Sequence, residues 1–476
     1  NAAPSSGTEG APKLRLHLLA GIAAVAVLAA GLGATDHVAR VMARHRLDAV
    51  ILPVTRLKTR GLLLQEVALE RPDLLPLYAS SELVRHRTYR ATEFFAGYPT
   101  GFAVFPVAAL GLPPLIQAQN FAALGDRLRG HRLVLFVWAP GFVWPENAER
   151  RAAYAGNFSR LQATAAAVSP LPTALKEGLA RRMLDYPETL KRDPLLRLTL
   201  HSLLGNDLPH RLLYTLLYPL NRFRIYCLES EDAARVLNEL RDQRPLAQPP
   251  APEAPIDWDR LERQAETLYR SQADQNPFGV GATWWRRFRR FLLRSRGTAT
   301  DSGFQHRLDR SSTWTDLDLA AGILHTEGAQ VLLLDVPLDG TFSNFTGVSP
   351  EARLSYYAKL RALATRYRTP VVDFANHDGD RYFLHDQDAH PSPKGWAYLD
   401  RAINAFYHDS LPDLPSRLSA GMPPPPFPDR PCRLREDALS PREGRPETPQ
   451  ACRRTGLGMG LEGVTSTTWS ARDSNP

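Results

Sequence analysis

Four short apolar runs, separated by stretches with helical periodicity, constrain the fold of this chain more than any other feature. The runs lie at residues 74–78, 133–138, 331–336 and 370–374 and have the length and composition of buried strands. Between the last two, residues 353–366 carry apolar side chains at helical spacing. A strand, a helix and a second strand in this order are typical of a parallel sheet. The pattern therefore predicts an α/β fold.

The central part of the chain, about 145–295, shows no strand pattern, and its Leu, Ala, Arg and aromatic residues recur with helix-like periods. A chain of 476 residues with 43% hydrophobic content can bury one large core or two smaller ones. We interpret the central part as a helical insertion within one α/β domain at 37–410. Its last segment, 284–294, interleaves aromatics with arginines and is either a helix on a membrane surface or a helix whose aromatic face packs into the core.

An apolar stretch near the N-terminus, residues 18–35, is just long enough to cross a bilayer as a helix. Lys13 and Arg15 precede it and favour a cytoplasmic N-terminus, although arginines at 40, 44 and 46 weaken the charge asymmetry. We expect an uncleaved transmembrane anchor at 14–36. The alternatives are a cleavable signal peptide and a buried core helix.

The C-terminal segment, 411–476, is rich in prolines, arginines and small polar residues, and we expect a disordered tail there. The net charge of +8 favours anionic surfaces such as lipid headgroups or polyanionic glycans. Nucleic acid is not expected as a partner, because the basic residues are dispersed and no recognition motif accompanies them. The three cysteines, Cys227, Cys432 and Cys452, indicate neither a disulfide framework nor a zinc site.

Ser81 follows the first apolar run, at the edge of a parallel sheet where ligand-binding loops gather. A serine becomes nucleophilic when an imidazole takes its proton, and His390 is the histidine with a suitable context. Asp386 and Asp388 precede it and could fix its tautomer. The pattern indicates acyl transfer. Alternatively, Ser81 caps a helix and the segment around His390 is a solvated acidic turn. A hard-cation site built from Asp386, Asp388 and His390 is a further alternative, which we disfavour because the segment lacks further oxygen ligands.

Several blocks of the sequence, in the same order, resemble the DltD family of SGNH-like proteins that act in D-alanyl transfer to teichoic acids. The similarity spans roughly residues 14–410. The blocks are Tyr-Ala-Ser-Ser-Glu-Leu at 78–83, Gln-Asn-Pro-Phe-Gly-Val at 275–280, Asp-Leu-Asp-Leu at 316–319, Val-Pro-Leu-Asp-Gly at 336–340, Thr-Gly at 346–347, Tyr-Tyr at 356–357, and the segment from His390 through Lys-Gly-Trp at 394–396.

The resemblance implies an SGNH-like sheet in which Ser81 is the nucleophile and His390 the base. The chain departs from the family in three places, with Ala79 for a glycine, Asp339 for an asparagine and Gln387 for the aspartate three residues before the histidine. The acid of the triad is then Asp386 if one residue is inserted, or Asp388 if nearness to His390 decides, and we favour Asp386.

Contacts to the oxyanion or substrate are expected from the backbone around Ser81, with Ser80 and Glu82 beside it. A second amide donor could come from Gly111, and Asp339 could contact the acceptor. No metal or other cofactor is expected.

The implied function is transfer of a D-alanyl group, by way of an ester on Ser81, to a hydroxyl of an anionic cell-envelope polymer such as teichoic acid. The implied partners are a membrane-bound O-acyltransferase and a D-alanyl carrier protein, and the reaction takes place outside the cytoplasmic membrane. Alternatives are an O-acetyltransferase of similar architecture that acts on polysaccharides, and a non-catalytic, membrane-tethered factor that binds the carrier.

Overall fold

A five-stranded parallel sheet forms the centre of the fold in this computed structural model, which describes residues 10–84, 88–144, 147–241, 243 and 255–411. The α/β prediction is confirmed. The strands are β1 Leu74–Ala79, β2 Ala103–Ala108, β3 Arg132–Trp138, β4 Gln330–Val336 and β5 Val371–Val372. Their spatial order is β2-β1-β3-β4-β5, and every neighbouring pair is parallel.

The sheet separates two apolar cores because alternate side chains of a strand point to opposite faces. In β1, Leu75 and Leu77 join the core on one face, whereas Leu74 and Tyr78 join the core on the other. Every residue of β1 is buried. A strand buried on both faces reads as a continuous apolar run, which is why β1 was recognisable in the sequence.

Strand β2 was not predicted, because Pro106 interrupts its apolar run. Proline lacks an N–H group and is tolerated mainly on edge strands. Among the described strands, β2 lies at the edge of the sheet and pairs with β1 alone, and Pro106 lies opposite Leu77. At the other edge, β5 is shorter than the predicted run at 370–374, since Phe374 adopts a left-handed backbone conformation with φ of 46°.

Helices that precede or follow strands cover the two faces of the sheet. These helices are α2 Arg56–Arg60, α3 Leu63–Leu69, α4 Ala91–Gly97, α5 Pro114–Leu124, α16 Gly340–Thr346, α17 Pro350–Arg366 and α18 Pro393–Tyr407. The predicted helix at 353–366 is observed as α17, which Ser349 caps by accepting a hydrogen bond from the Ala352 amide.

Within its described residues, the connection from β3 to β4 contains helices joined by turns and loops and contains no strand, as expected for a helical insertion at about 145–295. Its helices are α6 Ala148–Asn157, α7 Arg160–Ala167, α8 Thr173–Leu184, α9 Pro187–Leu190, α10 Pro194–Leu204, α11 Leu208–Arg241, α12 Trp258–Ala273, α13 Ala282–Arg294, α14 Asp301–Arg310 and α15 Ser312–Glu327. Short 3-10 helices lie at Gly125–Leu128, Ala139–Phe142 and Ala375–His377.

The arginine-rich segment at 284–294 belongs to α13. Its aromatic face packs on a small apolar cluster formed by Phe278, Val280 and Leu292. Arg286 and Arg290 are exposed on the other side of the helix. This arrangement matches the core-packing interpretation of the segment.

The N-terminal helix α1, Gly10–Val50, is longer than the expected anchor at 14–36. Its residues 19–50 are long and apolar enough to cross a membrane by length and composition, with a mean hydropathy of 1.8 in the most apolar window. The later part of α1 packs against the domain, and Ala39, Ala43 and Leu47 are fully buried. The expected tail at 411–476 lies, apart from Leu411, outside the described residues.

Candidate active site

Ser81 lies in the turn that directly follows β1. The turn is closed by a hydrogen bond from the Val84 amide to the Ser81 carbonyl, with an N–O distance of 3.2 Å. Ala79 before it is the last residue of the strand, is fully buried and lies opposite Ala108 of β2. Since Ala79 has no positive φ, the alanine that replaces the family's glycine fits this backbone without strain.

His390 lies in a tight loop between residues 384 and 391, which an antiparallel bridge between Leu384 and Pro391 closes. The His385 amide donates to the His390 carbonyl at 2.7 Å. Ser392 ends the loop and caps α18 by accepting a hydrogen bond from the Gly395 amide. The loop therefore has a fixed backbone that presents the His390 ring at the carboxyl edge of the sheet.

Ser81, His390 and Asp386 form a continuous hydrogen-bonded chain. The Nε2 atom of His390 lies 2.8 Å from the Ser81 Oγ atom, and its Nδ1 atom lies 2.8 Å from Oδ1 of Asp386. The His390 amide donates to the same carboxylate oxygen at 3.2 Å. Asp386 is fully buried and His390 is 4% exposed. These distances are those of a serine nucleophile, its base and an orienting acid.

Two opposing effects determine the charge of Asp386. Burial disfavours the carboxylate, but the electrostatic interaction with His390 and the hydrogen bond between the two side chains outweigh burial and keep the pKa of Asp386 below its usual value. A carboxylate at this position favours the tautomer with a proton on Nδ1, which leaves Nε2 to accept the serine proton.

Asp388, the alternative acid, is held differently. Its backbone carbonyl accepts a hydrogen bond from the Trp138 indole at 2.6 Å, and its side chain is partly exposed. Asp386, Asp388 and His390 each offer a metal-ligand atom, and these atoms lie within 4.8 Å of one another. Both ring nitrogens of His390 are already in hydrogen bonds, so a metal ion bound through this ring would replace one of them. The arrangement fits acyl transfer better than metal binding.

Ser80 and Glu82 form a small cluster beside the nucleophile. The Ser80 amide donates to Oε2 of Glu82 at 2.8 Å, so this amide is engaged and does not point to an oxyanion. Glu82 is 2% exposed, and its Oε1 atom has no hydrogen-bond partner among the described residues. Burial raises the pKa of Glu82, while the electrostatic interaction of Glu82 with His390 opposes the shift. Glu82 thus orients the backbone of the serine turn.

Gly111 lies in the loop that follows β2 and has a positive φ of 62°. The described contact between this loop and the serine turn is made by Ala109, whose carbonyl accepts a hydrogen bond from the Ser80 hydroxyl at 3.5 Å. The loop therefore lies beside the turn, and its amides are candidate oxyanion donors.

Asp339 caps α16 by accepting a hydrogen bond from the Phe342 amide at 2.9 Å. Burial is the main cause of a rise in the pKa of Asp339 to about 7, and the negative charges of Asp378 and Asp386 add to it. The carboxylate thus serves the helix terminus, a role that asparagine would also perform.

Side chains that sequence reasoning missed hold the loop that carries His390. Trp138, at the end of β3, binds the Asp388 carbonyl, and the indole of Trp284 donates to the Gln387 side chain. Tyr269 of α12 donates to the Leu384 carbonyl at 3.2 Å. Trp138 had one signal in the sequence, its position at the carboxyl end of a predicted strand, where site residues of parallel sheets gather.

Comparison with known proteins identifies the family. A family model described as DltD protein matches residues 53–408. The chain belongs to the DltD family. It is 27% identical over 350 residues to "Protein DltD" of Bacillus subtilis (strain 168), covering 73% of this chain and 86% of the relative. It is 22% identical over 349 residues to "Protein DltD" of Staphylococcus aureus (strain NCTC 8325 / PS 47), covering 72% of this chain and 83% of the relative.

The DltD family is involved in D-alanylation of teichoic acids. In this chain, residues of the family's recognisable blocks make contacts that stabilise the local backbone. In the block at 275–280, the Asn276 side chain accepts hydrogen bonds from the Phe278 and Val280 amides. In the terminal block, Lys394 bridges Glu266 and Asp380. A Cβ atom on Gly395 would lie 2.3 Å from the Phe383 carbonyl oxygen, so only glycine fits there.

Proposed function

We propose that this member of the DltD family is a serine acyltransferase in which Ser81 carries a D-alanyl group and passes it to a hydroxyl of a teichoic acid or related anionic envelope polymer. The observation that carries the proposal is the pair of contacts of 2.8 Å that link Ser81 to His390 and His390 to Asp386. The same chemistry gives esterase activity when water replaces the polymer hydroxyl.

In the first step, the Ser81 oxygen attacks the carbonyl carbon of the acyl donor, and Nε2 of His390 takes its proton. Backbone amides of the serine turn and of the loop after β2 stabilise the resulting oxyanion. The tetrahedral intermediate collapses, His390 returns the proton to the leaving thiol or hydroxyl, and a D-alanyl ester remains on Ser81.

In the second step, a polymer hydroxyl gives its proton to Nε2 of His390 and attacks the ester carbonyl. Collapse breaks the bond to Ser81, which recovers the proton, and the acyl group is now an ester of the polymer. Asp386 stabilises the imidazolium form of His390 in both steps.

The proposed setting is the outer surface of the cytoplasmic membrane. α1 anchors the chain with its N-terminus inside, and the α/β domain lies on the outer side. A membrane-bound O-acyltransferase and a D-alanyl carrier protein supply the activated acyl group. The net charge of +8 favours an anionic acceptor polymer.

The test uses the purified full chain in detergent, incubated with a D-alanyl thioester of a short thiol and analysed by intact mass and peptide mapping. We expect an alanyl adduct on Ser81 that the Ser81→Ala variant lacks and the matched Ser80→Ala variant retains. Absence of an adduct on wild type, or its persistence in Ser81→Ala, contradicts the proposal. A parallel incubation with an acetyl thioester distinguishes an acetyltransferase, which would accumulate acetyl adduct preferentially.

A further inference from the structure

Helix α11 carries an exposed apolar stripe along its first half. The side chains of the stripe lie four, four, four and three residues apart, so they occupy one face of the helix. Leu216 is 73% exposed and Phe223 is 58% exposed. Large apolar side chains exposed in a continuous row mark an interaction surface. The α11 stripe consists of Leu208, Leu212, Leu216, Leu220 and Phe223.

Helix α1 covers the same face of α11 along its second half. Tyr226 lies three residues after Phe223, on the stripe side of the helix, and its hydroxyl donates to the Ala29 carbonyl at 2.8 Å. Further along, Ser230 and Ala233 on this face are buried. One face of α11 is therefore an interface with α1 at one end and, among the residues that the structure describes, is exposed at the other.

The two helices run parallel. Tyr226 of α11 contacts Ala29 of α1, and Arg46, later in α1, donates to the Leu240 carbonyl, later in α11. From the contact between Tyr226 and Ala29, the α11 stripe therefore runs back alongside the residues of α1 that precede Ala29. That part of α1 also exposes apolar side chains, with Ile22 58% and Val27 74% exposed.

The stripe is shorter than the thickness of a bilayer. At 1.5 Å per residue, 15 residues from Leu208 to Phe223 span roughly 22 Å, less than the hydrocarbon core of about 30 Å. Tyr218, Arg211 and Arg222 are exposed on the flank of the stripe. Tyrosine and arginine beside an apolar face are typical of helices at a lipid interface, where their polar ends reach the headgroups.

We propose that the first half of α11 is a second membrane-contacting element, whose stripe faces the lipid alongside α1. The proposal rests on the proposed anchoring role of α1. Two contacts, one through α1 and one through α11, would fix the orientation of the domain relative to the membrane. The distance of Ser81 and His390 from the lipid surface would then be constant, as required for an acceptor attached to that surface.

The test uses the full chain in nanodiscs of phosphatidylcholine and phosphatidylglycerol, with its native cysteines replaced by serine. Single cysteines at Leu212 and Leu216 are labelled with the environment-sensitive fluorophore NBD. Leu268 of α12, 50% exposed and outside the stripe, is the matched control, and Leu28 reports on α1. We expect lipids with a nitroxide on the acyl chain to quench the labels at Leu212 and Leu216, but not the label at Leu268.

Labels at Leu212 and Leu216 that stay bright while the Leu28 label is quenched overturn the proposal and leave the anchor intact. If the Leu28 label also stays bright, the anchor fails and the proposal fails with it, whereas the acyl adduct on Ser81 remains a separate result. Labels at Leu212 and Leu216 that are shielded from aqueous iodide but not quenched by the nitroxide lipids would mean that protein covers the stripe. This result would also overturn the proposal of lipid contact.

Discussion

The Nε2 atom of His390 lies 2.8 Å from the Oγ atom of Ser81, although 309 residues separate the two in the chain. The contact exists because β1 ends at the serine turn and the loop before α18 returns to the same edge of the sheet. At this distance the imidazole can accept the proton of the serine hydroxyl, which would make the serine a nucleophile.

Replacement of Asp386 should reduce activity much more than replacement of Asp388. Asp386→Asn removes the acceptor that selects the reactive His390 tautomer, and we expect a loss of roughly 10³–10⁴ in kcat for thioester hydrolysis. Asp388→Asn keeps the backbone carbonyl that binds Trp138 and should cost less than about tenfold. Steady-state kinetics of the two variants would distinguish them, and a greater loss in Asp388→Asn would reassign the acid.

Asp386 should also stabilise the fold in a pH-dependent way. Because its folded-state pKa is depressed, its stabilising contribution is present above the unfolded pKa, about 4, and is lost as the pH falls through the lower folded value. The free energy of unfolding of wild type should exceed that of Asp386→Asn near neutral pH, and the difference should shrink in acid. Denaturant titrations at several pH values would measure it, and a pH-independent difference would contradict this account.

Replacement of Asp339 by asparagine should stabilise the protein at alkaline pH. The pKa of Asp339 is raised to about 7, so its contribution is fully present below the unfolded value near 4 and is lost as the pH rises through 7. The asparagine side chain would keep the cap of α16 and remove this loss. Thermal unfolding of Asp339→Asn and wild type at pH 5 and pH 8.5 should show the variant gaining relative to wild type at the higher pH.

The matched control for this effect is Asp257→Asn, at the exposed N-cap of α12. This variant controls for the exchange of aspartate for asparagine at a helix N-cap, and its change in unfolding temperature is subtracted from that of Asp339→Asn at each pH. A corrected change that is the same at pH 5 and pH 8.5 would refute the raised pKa of Asp339.

Lys58 of α2 should give the opposite dependence on pH. It is fully buried, its Nζ atom donates to the Ile51 carbonyl at 2.5 Å, and burial lowers its pKa to about 7. Between pH 7 and the unfolded pKa near 10.5, the unfolded chain binds more protons, so the free energy of unfolding should rise by up to about 1.4 kcal/mol per pH unit. Lys58→Met should abolish this rise, and the exposed Lys191→Met should retain it. A rise in the free energy of unfolding that survives in Lys58→Met would show that Lys58 is not its source.

Local pattern was sufficient for part of the fold. β1, β3 and β4 are continuous apolar runs, so their burial could be predicted from composition. β2 could not, because Pro106 is tolerated only through its position at the sheet edge, which depends on tertiary structure. Likewise, the left-handed backbone of Phe374, two residues after the end of β5, has no signal in an apolar run.

The candidate site was likewise predictable only in part. Ser81 and His390 could be selected from motif and position, but Asp386 and Asp388 both lie close to His390 in the chain, and only the path of the loop decides which carboxylate meets Nδ1. The contact between Trp138 and the Asp388 carbonyl joins residues 250 positions apart, which a local pattern cannot reveal.

The most direct measurement of the central claim is labelling of the purified full chain with a serine-reactive fluorophosphonate. The account predicts that wild type and Ser80→Ala are labelled at Ser81, that Ser81→Ala is not labelled, and that His390→Ala loses most of the labelling because Ser81 then lacks its base. An unlabelled wild type beside a labelled serine hydrolase control, or equal labelling of Ser81→Ala, would contradict an activated nucleophile at Ser81.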